Sequence, residues 1–343
     1  MQRTQHQGAQ RGICSHRGRH PLLFKGEHVK LIIQIPCYNE ADTLAITLRE
    51  LPRIVEGFDK VEWLIINDGS TDNTVEVAKA NGVDHIVNFT RNQGLARGFM
   101  AGLDACLKLG ADVIVNTDAD NQYNAKDIPL LVKPILDKKA ELVVGARPIS
   151  EIRHFRFIKK QLQKLGSWVV RLASKTNMLD APSGFRAISR EAALRLNVFN
   201  EYTYTLETII QAGQKNMAIV SVPIRVNEDL RPSRLVKSIP RYVQKSIVTI
   251  IRIFVVYKPF RFFMAFGLLL FTPGLLLGLR FLYYYFLEGG EGHIQSLILS
   301  SILLGIGFQT MLVAFLADLL AVNRRLMEDV QFRLRKIDSQ GVK

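Results

Sequence analysis

Cysteine is scarce in this chain, and its spacing serves none of the usual paired roles. Cys14, Cys37 and Cys106 are the only three in 343 residues. They have neither the close spacing of a zinc site nor the density of a disulfide framework, which fits a reducing compartment. Tryptophan is scarcer still, at Trp63 and Trp168, and neither lies in a Q-x-x-R-W string. No strand-like run is followed by G-x-G-x-x-G, and neither G-x-x-x-x-G-K-[ST] nor G-x-S-x-G occurs. Dinucleotide, P-loop and hydrolase-elbow chemistry therefore lose their main support. Met1 to His28 lacks the apolar core of a secretory signal. It holds four of the seven histidines, His6, His16, His20 and His28, without regular spacing. A disordered basic tail over 1–28 accounts for it better than metal binding.

Acidic residues are also in deficit. Asp and Glu number 31 against 45 Lys and Arg, for a formal charge of +14 and a pI near 9.8. Such a balance calls for an anionic partner: nucleic acid, a phosphorylated substrate or acidic lipid. Two long apolar runs favour lipid. Phe262 to Phe286 carries a single charge, Arg280, and Ile294 to Ala321 is charged only near its end. At 1.5 Å per residue the first reaches roughly 37 Å, enough to cross about 30 Å of hydrocarbon. The loop between them holds Glu288 and Glu291 but no Lys or Arg, whereas Lys258 and Arg261 precede the first run and Arg324 and Arg325 follow the second. The positive-inside rule then puts both chain ends in the cytoplasm, at the inner membrane of a cell. Tyr283 to Tyr285 suit the outer headgroup level, Pro273 is expected to bend the first span, and Gly274 with Gly278 offers a small face for helix contact or a homo-oligomer. Between Arg225 and Arg261 nine basic residues face only Glu228 and Asp229, interleaved from Ile239 with apolar residues. That pattern reads as an amphipathic helix on an anionic membrane surface, and it explains much of the charge without nucleic acid.

With 48% hydrophobic residues the chain has enough apolar mass for one large domain. From Val29 short apolar runs alternate with amphipathic segments, the pattern of a largely parallel α/β sheet. Strands are expected at Leu31 to Ile35, Val61 to Ile66, His85 to Phe89, Val113 to Asn116 and Leu142 to Gly145. Helices are expected at Ala41 to Leu51, Thr71 to Ala80, Leu95 to Lys108 and Asp127 to Lys138. Ligands of such sheets bind beyond the carboxyl ends of the strands. Polar clusters sit at those ends: Pro36-Cys37-Tyr38-Asn39-Glu40, Asn67-Asp68-Gly69-Ser70-Thr71-Asp72 and Asn92-Gln93-Gly94. The run Val113 to Val115 delivers Asp118 and Asp120, two residues apart, into a loop with Gln122 and Asn124. Alternate residues of an extended backbone project to one side, so both carboxylates can converge on one hard cation. A D-x-D alone also occurs in solvated turns and helix caps, and Ser70 or Thr71 capping a helix would account for the second cluster without chemistry.

The order of these motifs resembles that of the family 2 glycosyltransferases of the GT-A fold, over about Lys30 to Asn227. Pro36, Tyr38, Asn39 and Glu40 match the first nucleotide-binding turn. Asp68 matches the acidic residue on the nucleoside, with Asn67 where the family usually has Asp. Asn92, Gly94 and Gly102 match N-x-G-x-x-x-A-x-x-x-G, with Gly98 in place of the alanine. Asp118, Ala119, Asp120 and Gln122 match the metal-binding D-x-D and the glutamine that often follows it. Val144-Gly145-Ala146-Arg147 resembles the G-S-R segment, and Ser183-Gly184-Phe185-Arg186 the S-G-F-R element, of the polyprenyl-phosphate branch that includes dolichol-phosphate mannose synthases. Arg231-Pro232-Ser233-Arg234 looks like a shortened R-x-x-G-x-S-K loop.

The resemblance implies an inverting transfer of a hexose from a UDP- or GDP-sugar to polyprenyl phosphate. Mg²⁺ or Mn²⁺ would be held by Asp118 and Asp120. The donor would lie on Pro36 to Glu40, Asp68, Asn92, Gly94, Ala119, Gln122 and Arg147, and the acceptor phosphate on Ser183, Arg186, Arg231, Ser233 and Arg234. Glu207 is a candidate base or orienting residue, and a helix-dipole role suits it equally. The implied division is a catalytic domain at 29–236, an amphipathic helix at 237–258, a two-helix membrane hairpin at 259–323 and a basic cytoplasmic tail at 324–343. Three other readings share most of these features: a processive polysaccharide synthase, which the missing Q-x-x-R-W opposes; a transferase using another lipid acceptor; and a non-catalytic membrane scaffold, which the intact D-x-D opposes.

Overall fold

A computed structural model of the chain describes residues 28–148, 180, 182–198, 204–227, 248, 251–252, 255–289 and 294–339. The expected tail before His28, the loop with Arg231, Ser233 and Arg234, and most of the expected amphipathic helix at 237–258 lie outside the described residues.

The apolar runs pair into one sheet of β1 (Lys30–Cys37), β2 (Lys60–Asn67), β3 (His85–Asn88), β4 (Val113–Asn116), β5 (Leu142–Ala146), β6 (Arg186–Ser189) and β7 (Ile219–Pro223), ordered β3-β2-β1-β4-β6-β5-β7. All neighbours run parallel except β6, which is antiparallel to both β4 and β5. Leu31 to Ile33, Ile35 and Val113 to Val115 are fully buried. These strands read as continuous apolar runs because helices cover both faces of the sheet. One face is sealed by α3 (Leu95–Lys108), α5 (Arg190–Arg195) and α6 (Thr205–Gln214), around Phe99, Leu103, Ile209 and Ile210. The other is sealed by α1 (Ala41–Glu50), α2 (Thr74–Ala80) and α4 (Ile128–Leu136), around Leu44, Leu48, Leu131 and Ile135.

Sequence periodicity misses β6, β7, α5 and α6, and β6 matters most. Its reversed direction sets Arg186, its first residue, opposite Asn116, the last of β4. A segment from the second half of the domain is thereby brought to the D-x-D end of the sheet. The start of α2 also differs from expectation, at Thr74 rather than Thr71. Neither Ser70 nor Thr71 caps it; Thr74 N donates to Asp72 Oδ1 at 3.1 Å, while Ser70 and Thr71 bond to Asn39 instead.

The C-terminal part is a hairpin of α7 (Pro259–Glu288) and α8 (Ile294–Asp338). Both are long and apolar enough to cross a membrane. Leu269, Leu276 and Phe286 are 67%, 61% and 81% exposed on their outer faces, a surface that hydrocarbon solvates and water does not. Pro273 lies inside α7. Gly274 and Gly278, expected as a possible oligomer face, are used within the chain. A Cβ on Gly274 would meet Leu303 and the Leu304 backbone nitrogen at 2.9 Å, one on Gly278 would meet Ser300 Oγ at 2.9 Å, and Ser300 Oγ donates to Gly274 O at 2.7 Å.

The expected boundary at 323 falls in the middle of a helix. α8 runs on without a break and lies against the catalytic domain. Glu328 pairs with Lys215 at 3.0 Å, Arg335 pairs with Asp104 at 3.1 Å and donates to Leu196 O at 2.6 Å, and Phe332 packs on the core beside Arg195 of α5. The sequence expects a basic cytoplasmic tail at 324–343. It is instead an amphipathic helix whose i,i+4 pairs, Arg324 with Glu328 and Asp329 with Arg333, support it locally.

Candidate active site

Three turns at the carboxyl ends of β1, β2 and β3 are bound into one platform. Asn39, in the left-handed region at φ 54°, accepts from Thr71 N at 2.8 Å, and its own N–H donates to Ser70 Oγ at 3.0 Å. Glu40 N donates to Thr74 Oγ1 and Ala41 N to Asp72 Oδ2. Asp68 is buried and accepts from Gln93 N at 2.7 Å and Gly94 N at 2.9 Å, so it braces the Asn92 to Gly94 loop. Gly69 is where that loop crosses: a Cβ there would lie 2.4 Å from the Arg91 carbonyl carbon, and its φ of 68° suits glycine. Asn67, where the family pattern has an acid, accepts from Ser70 N and donates to Asn88. Its amide serves as a turn brace. Pro36 and Tyr38 lie on the same platform, with Tyr38 44% exposed.

β4 ends in the D-x-D loop. Asp120 Oδ1 accepts from Gln122 N at 3.1 Å, Thr47 Oγ1 donates to Ala119 O at 2.9 Å, and Asn227 N donates to Gln122 O at 2.9 Å. Below the loop, Arg225 forks onto buried Asp127, with Nε to Oδ1 at 3.0 Å and the backbone N to Oδ2 at 2.7 Å. Asp118 is pushed up to about 7, first by burial and then by the neighbouring Asp120 and Glu40, against the pull of Arg147 and Arg186. Glu40, Asp120, Arg147 and Arg186, from four separate segments, are therefore near enough to act on one carboxylate. Sequence reasoning assigned all of them to the site, and the structure gathers them.

The arginines sit differently from a simple phosphate clamp. Arg147 forks onto Asp180, Nε to Oδ2 at 2.7 Å and Nη2 to Oδ1 at 3.1 Å. Burial lowers its proton affinity, and this pair more than restores it. Arg186 has no exposed surface; Nε donates to Ser183 O at 2.8 Å and Nη1 to Thr208. Burial takes it down to about 10, which leaves it charged at neutral pH. In this structure it therefore acts on Asp118 from behind the site. Glu207 is buried on α6, and its carboxylate accepts from Tyr257 Oη at 2.7 Å, toward the junction with α7.

A polar chain under Asp118 escaped the motif search. Gln34 Nε2 donates to Asn116 Oδ1, and Asn116 Nδ2 to Gly184 O and Tyr204 Oη, each at 2.9 Å. Gln34 and Asn116 are register partners, each a lone amide in an apolar run, and that oddity is the signal that finds them. Tyr204 stacks on Phe99 with centroids 4.0 Å apart, and Tyr123 on Phe185 at 5.1 Å, its hydroxyl accepting from Gly184 N. Gly184 is thus fixed on both sides. A Cβ there would stand 2.9 Å from Tyr204 Oη and 3.2 Å from each Asp118 carboxylate oxygen. Asp180 has no comparable signal in the sequence.

Asp118 and Asp120 are hard oxygen donors at one loop, and the repulsion between them is what a divalent cation relieves, so the pair fits one. Among the described residues no cluster of three or more His, Cys, Asp or Glu side chains could hold a metal by itself. The remaining ligands would then come from substrate, as is usual when Mg²⁺ binds through one or two carboxylates and phosphate.

A parallel sheet with one reversed strand, acidic turns at its strand ends and a D-x-D loop after β4 define a glycosyltransferase of the GT-A fold. Residues 32–202 match the family model "Glycosyl transferase family 2", and the chain belongs to that family. It is 27% identical over 235 residues to the undecaprenyl-phosphate mannosyltransferase of Micrococcus luteus, covering 65% of this chain and 93% of that protein. It is 29% identical over 216 residues to the UDP-N-acetylglucosamine–dolichyl-phosphate N-acetylglucosaminyltransferase of Methanococcus voltae, covering 56% and 83%. The fold is shared with glucosyl-3-phosphoglycerate synthase from Mycobacterium tuberculosis, solved with Mn²⁺, UDP and phosphoglyceric acid, at a TM-score of 0.51 and 20% identity, over 65% of this chain and 78% of that one.

Proposed function

We propose that the protein transfers a sugar from a nucleotide-diphosphate donor to polyprenyl phosphate at the cytoplasmic face of a membrane, with inversion at the anomeric carbon. The observation that carries this reading is the attachment of a D-x-D site to a hairpin of two apolar helices. The two polyprenyl-phosphate and dolichyl-phosphate transferases it resembles support it. The absence of Lys and Arg between the helices, against Lys258, Arg261, Arg324 and Arg325 at their other ends, supports cytoplasmic chain ends.

Asp118 and Asp120 would hold Mg²⁺ or Mn²⁺, which when bound neutralises charge developing on the departing nucleoside diphosphate. The platform of Pro36 to Glu40, Asp68 and Asn92 to Gly94 orients the nucleoside. Arg147, fixed by Asp180, and Arg186, fixed by Ser183 and Thr208, supply positive field to the same place. The acceptor's phosphate oxygen bonds to the anomeric carbon as the bond to the donor's β-phosphate oxygen breaks. A phosphate monoester has a second pKa of about 6, so near pH 7 it is mostly dianionic and needs no general base. Glu207, bonded to Tyr257, is then an orienting group. Ser183, Arg231, Ser233 and Arg234 remain the proposed acceptor-phosphate contacts.

The test is a transfer assay in membranes with radiolabelled UDP- and GDP-sugars, polyprenyl phosphate and Mn²⁺ or Mg²⁺, with Asp120→Asn in parallel. Metal-dependent label in a lipid that releases sugar in mild acid, missing in the variant, is the expected result. Nucleotide binding without labelled lipid for any donor would overturn the acceptor assignment.

A further inference from the structure

The turn that carries Asp120 is closed locally but held from a distance. Asp120 Oδ1 accepts from Gln122 N at 3.1 Å, and Asn121, between them, sits in the left-handed region at φ 56°. Asparagine tolerates that conformation without enforcing it. The carbonyls of Asn121 and Gln122 are both taken up by one residue, Asn227, which lies 106 positions beyond Asn121. Asn227 Nδ2 donates to Asn121 O at 3.0 Å, and its backbone N donates to Gln122 O at 2.9 Å. The same amide nitrogen donates to Glu50 Oε2, at the end of α1, at 3.4 Å. Both of its partners are acceptors, so the amide can face only one way.

Asn227 is itself braced. It follows a strap that leaves β7 and runs against the D-x-D loop. Ile224 is buried in the core and its N–H donates to Ala146 O at 3.0 Å. Arg225 forks onto buried Asp127, and Val226 forms an antiparallel bridge with Tyr123. The strap therefore takes its register from the sheet and the core. Asn227 passes that register to the two peptide groups that follow Asp120.

We propose that Asn227 is a positioning residue for the metal site: by holding the turn over Asp120, Asn121 and Gln122, it keeps the Asp120 carboxylate set for the same cation as Asp118. It acts through the peptide groups of Asn121 and Gln122 and is not a ligand. The role rests on the proposed function in one respect, that Asp118 and Asp120 hold Mg²⁺ or Mn²⁺. Two carboxylates repel one another before a cation arrives, and Mg²⁺ in particular demands near-ideal geometry. A turn free to relax would let Asp120 move away from Asp118, and binding would have to gather them again. Groups that orient a metal ligand without touching the metal commonly set its affinity in this way.

Calorimetric titration of the full chain in detergent with Mn²⁺, with UDP or GDP held at one concentration throughout, tests it. Asn227→Ala should raise the Kd for Mn²⁺ about tenfold. The Mn²⁺ concentration for half-maximal transfer should rise with it, while the rate at saturating metal changes little. Asn81→Ala is the matched control: it removes an amide that donates to Val77 O at 2.8 Å at the end of α2, and should lower Tm while leaving Kd as it is. Glu50→Ala, a surface change, should weaken Mn²⁺ binding more than Glu50→Gln, which keeps an acceptor for Asn227. That pair carries the test if Asn227→Ala does not fold. Native Mn²⁺ affinity in folded Asn227→Ala, an equal loss in Asn81→Ala, or no difference between the two Glu50 variants would each overturn the proposal. Mn²⁺ binding that is absent from the native chain, or that survives Asp120→Asn unchanged, would overturn the metal site itself and this role with it.

Discussion

Gly184→Ala adds one methyl group at the point where the site has least room. The new carbon would lie 2.9 Å from Tyr204 Oη and 3.2 Å from both Asp118 oxygens. Tyr204 cannot swing aside cheaply, being 1% exposed, stacked on Phe99 and bonded to Asn116. Relief must come from shifting Asp118 or breaking the tyrosine's hydrogen bond. Overpacking of this kind costs about 1–3 kcal/mol, which lowers Tm by about 2–4 °C per kcal/mol for a domain of this size. Activity should fall further than stability, by about 10²-fold, because misplacing a reacting group by about 1 Å costs that much. Gly98→Ala is the internal control. Its Cβ would meet only Ile66 at 3.7 Å and Pro36 at 3.9 Å, ordinary contacts, and alanine favours a helix interior by about 1 kcal/mol. Gly102→Ala, four residues on, would strike Gln34 Oε1 at 2.5 Å and should destabilise without a specific loss of metal dependence. Melting curves and initial rates against metal concentration, measured for the full-length chain in detergent, distinguish these outcomes. Native rate and metal requirement in Gly184→Ala would refute the crowding argument.

Asp180→Ala should leave the Arg147 guanidinium buried without its partner, at a cost of about 3–5 kcal/mol, and is read as loss of folded protein or a large fall in Tm; a neutral effect would place Arg147 in solvent. Glu62 gives a pH prediction. Burial would raise it, but hydrogen bonds from Lys30, Lys60 and His85 outweigh burial and hold it at about 2 against an ordinary 4.5. A depressed carboxylate stabilises above its unfolded pKa, so up to about 3 kcal/mol should be lost as pH falls from about 4.5 to 2. Glu62→Gln should flatten that slope, as read by the emission of neighbouring Trp63; an unchanged slope would sink the assignment. Gly307→Leu should split the hairpin, since even a Cβ would come within 2.7 Å of Phe271 N; an unaltered melting curve would show that the helices do not approach there.

Legibility followed the range of the interactions involved. β1, β4 and α3 were plain in the sequence because each is a local pattern, an apolar run or a helical stripe ending in a turn. The D-x-D and the acidic turns were found for the same reason. β6 was hidden because four residues, R-A-I-S, carry no period, and their strand character comes from the gap between β4 and β5. Arg147 was expected to meet phosphate, and its fork onto Asp180, 33 residues away, is a contact that no local spacing encodes. Arg186 could be read as charged but not as fully buried, because burial depends on what β6 and α6 place around it.

A helix long and apolar enough to cross a membrane that ends against Leu196 and Asp104 is also a clasp. The catalytic domain already joins α7 through Tyr257, which packs in its core and bonds Glu207, so the docked end of α8 is a second attachment whose engagement depends on helical phase. One residue inserted after Val322 would turn that docking face by about 100° and shift it about 1.5 Å along the axis, whereas four would nearly restore its bearing and shift it about 6 Å. Such insertions separate what the second attachment contributes from what the site contributes, with every residue of the site left unchanged.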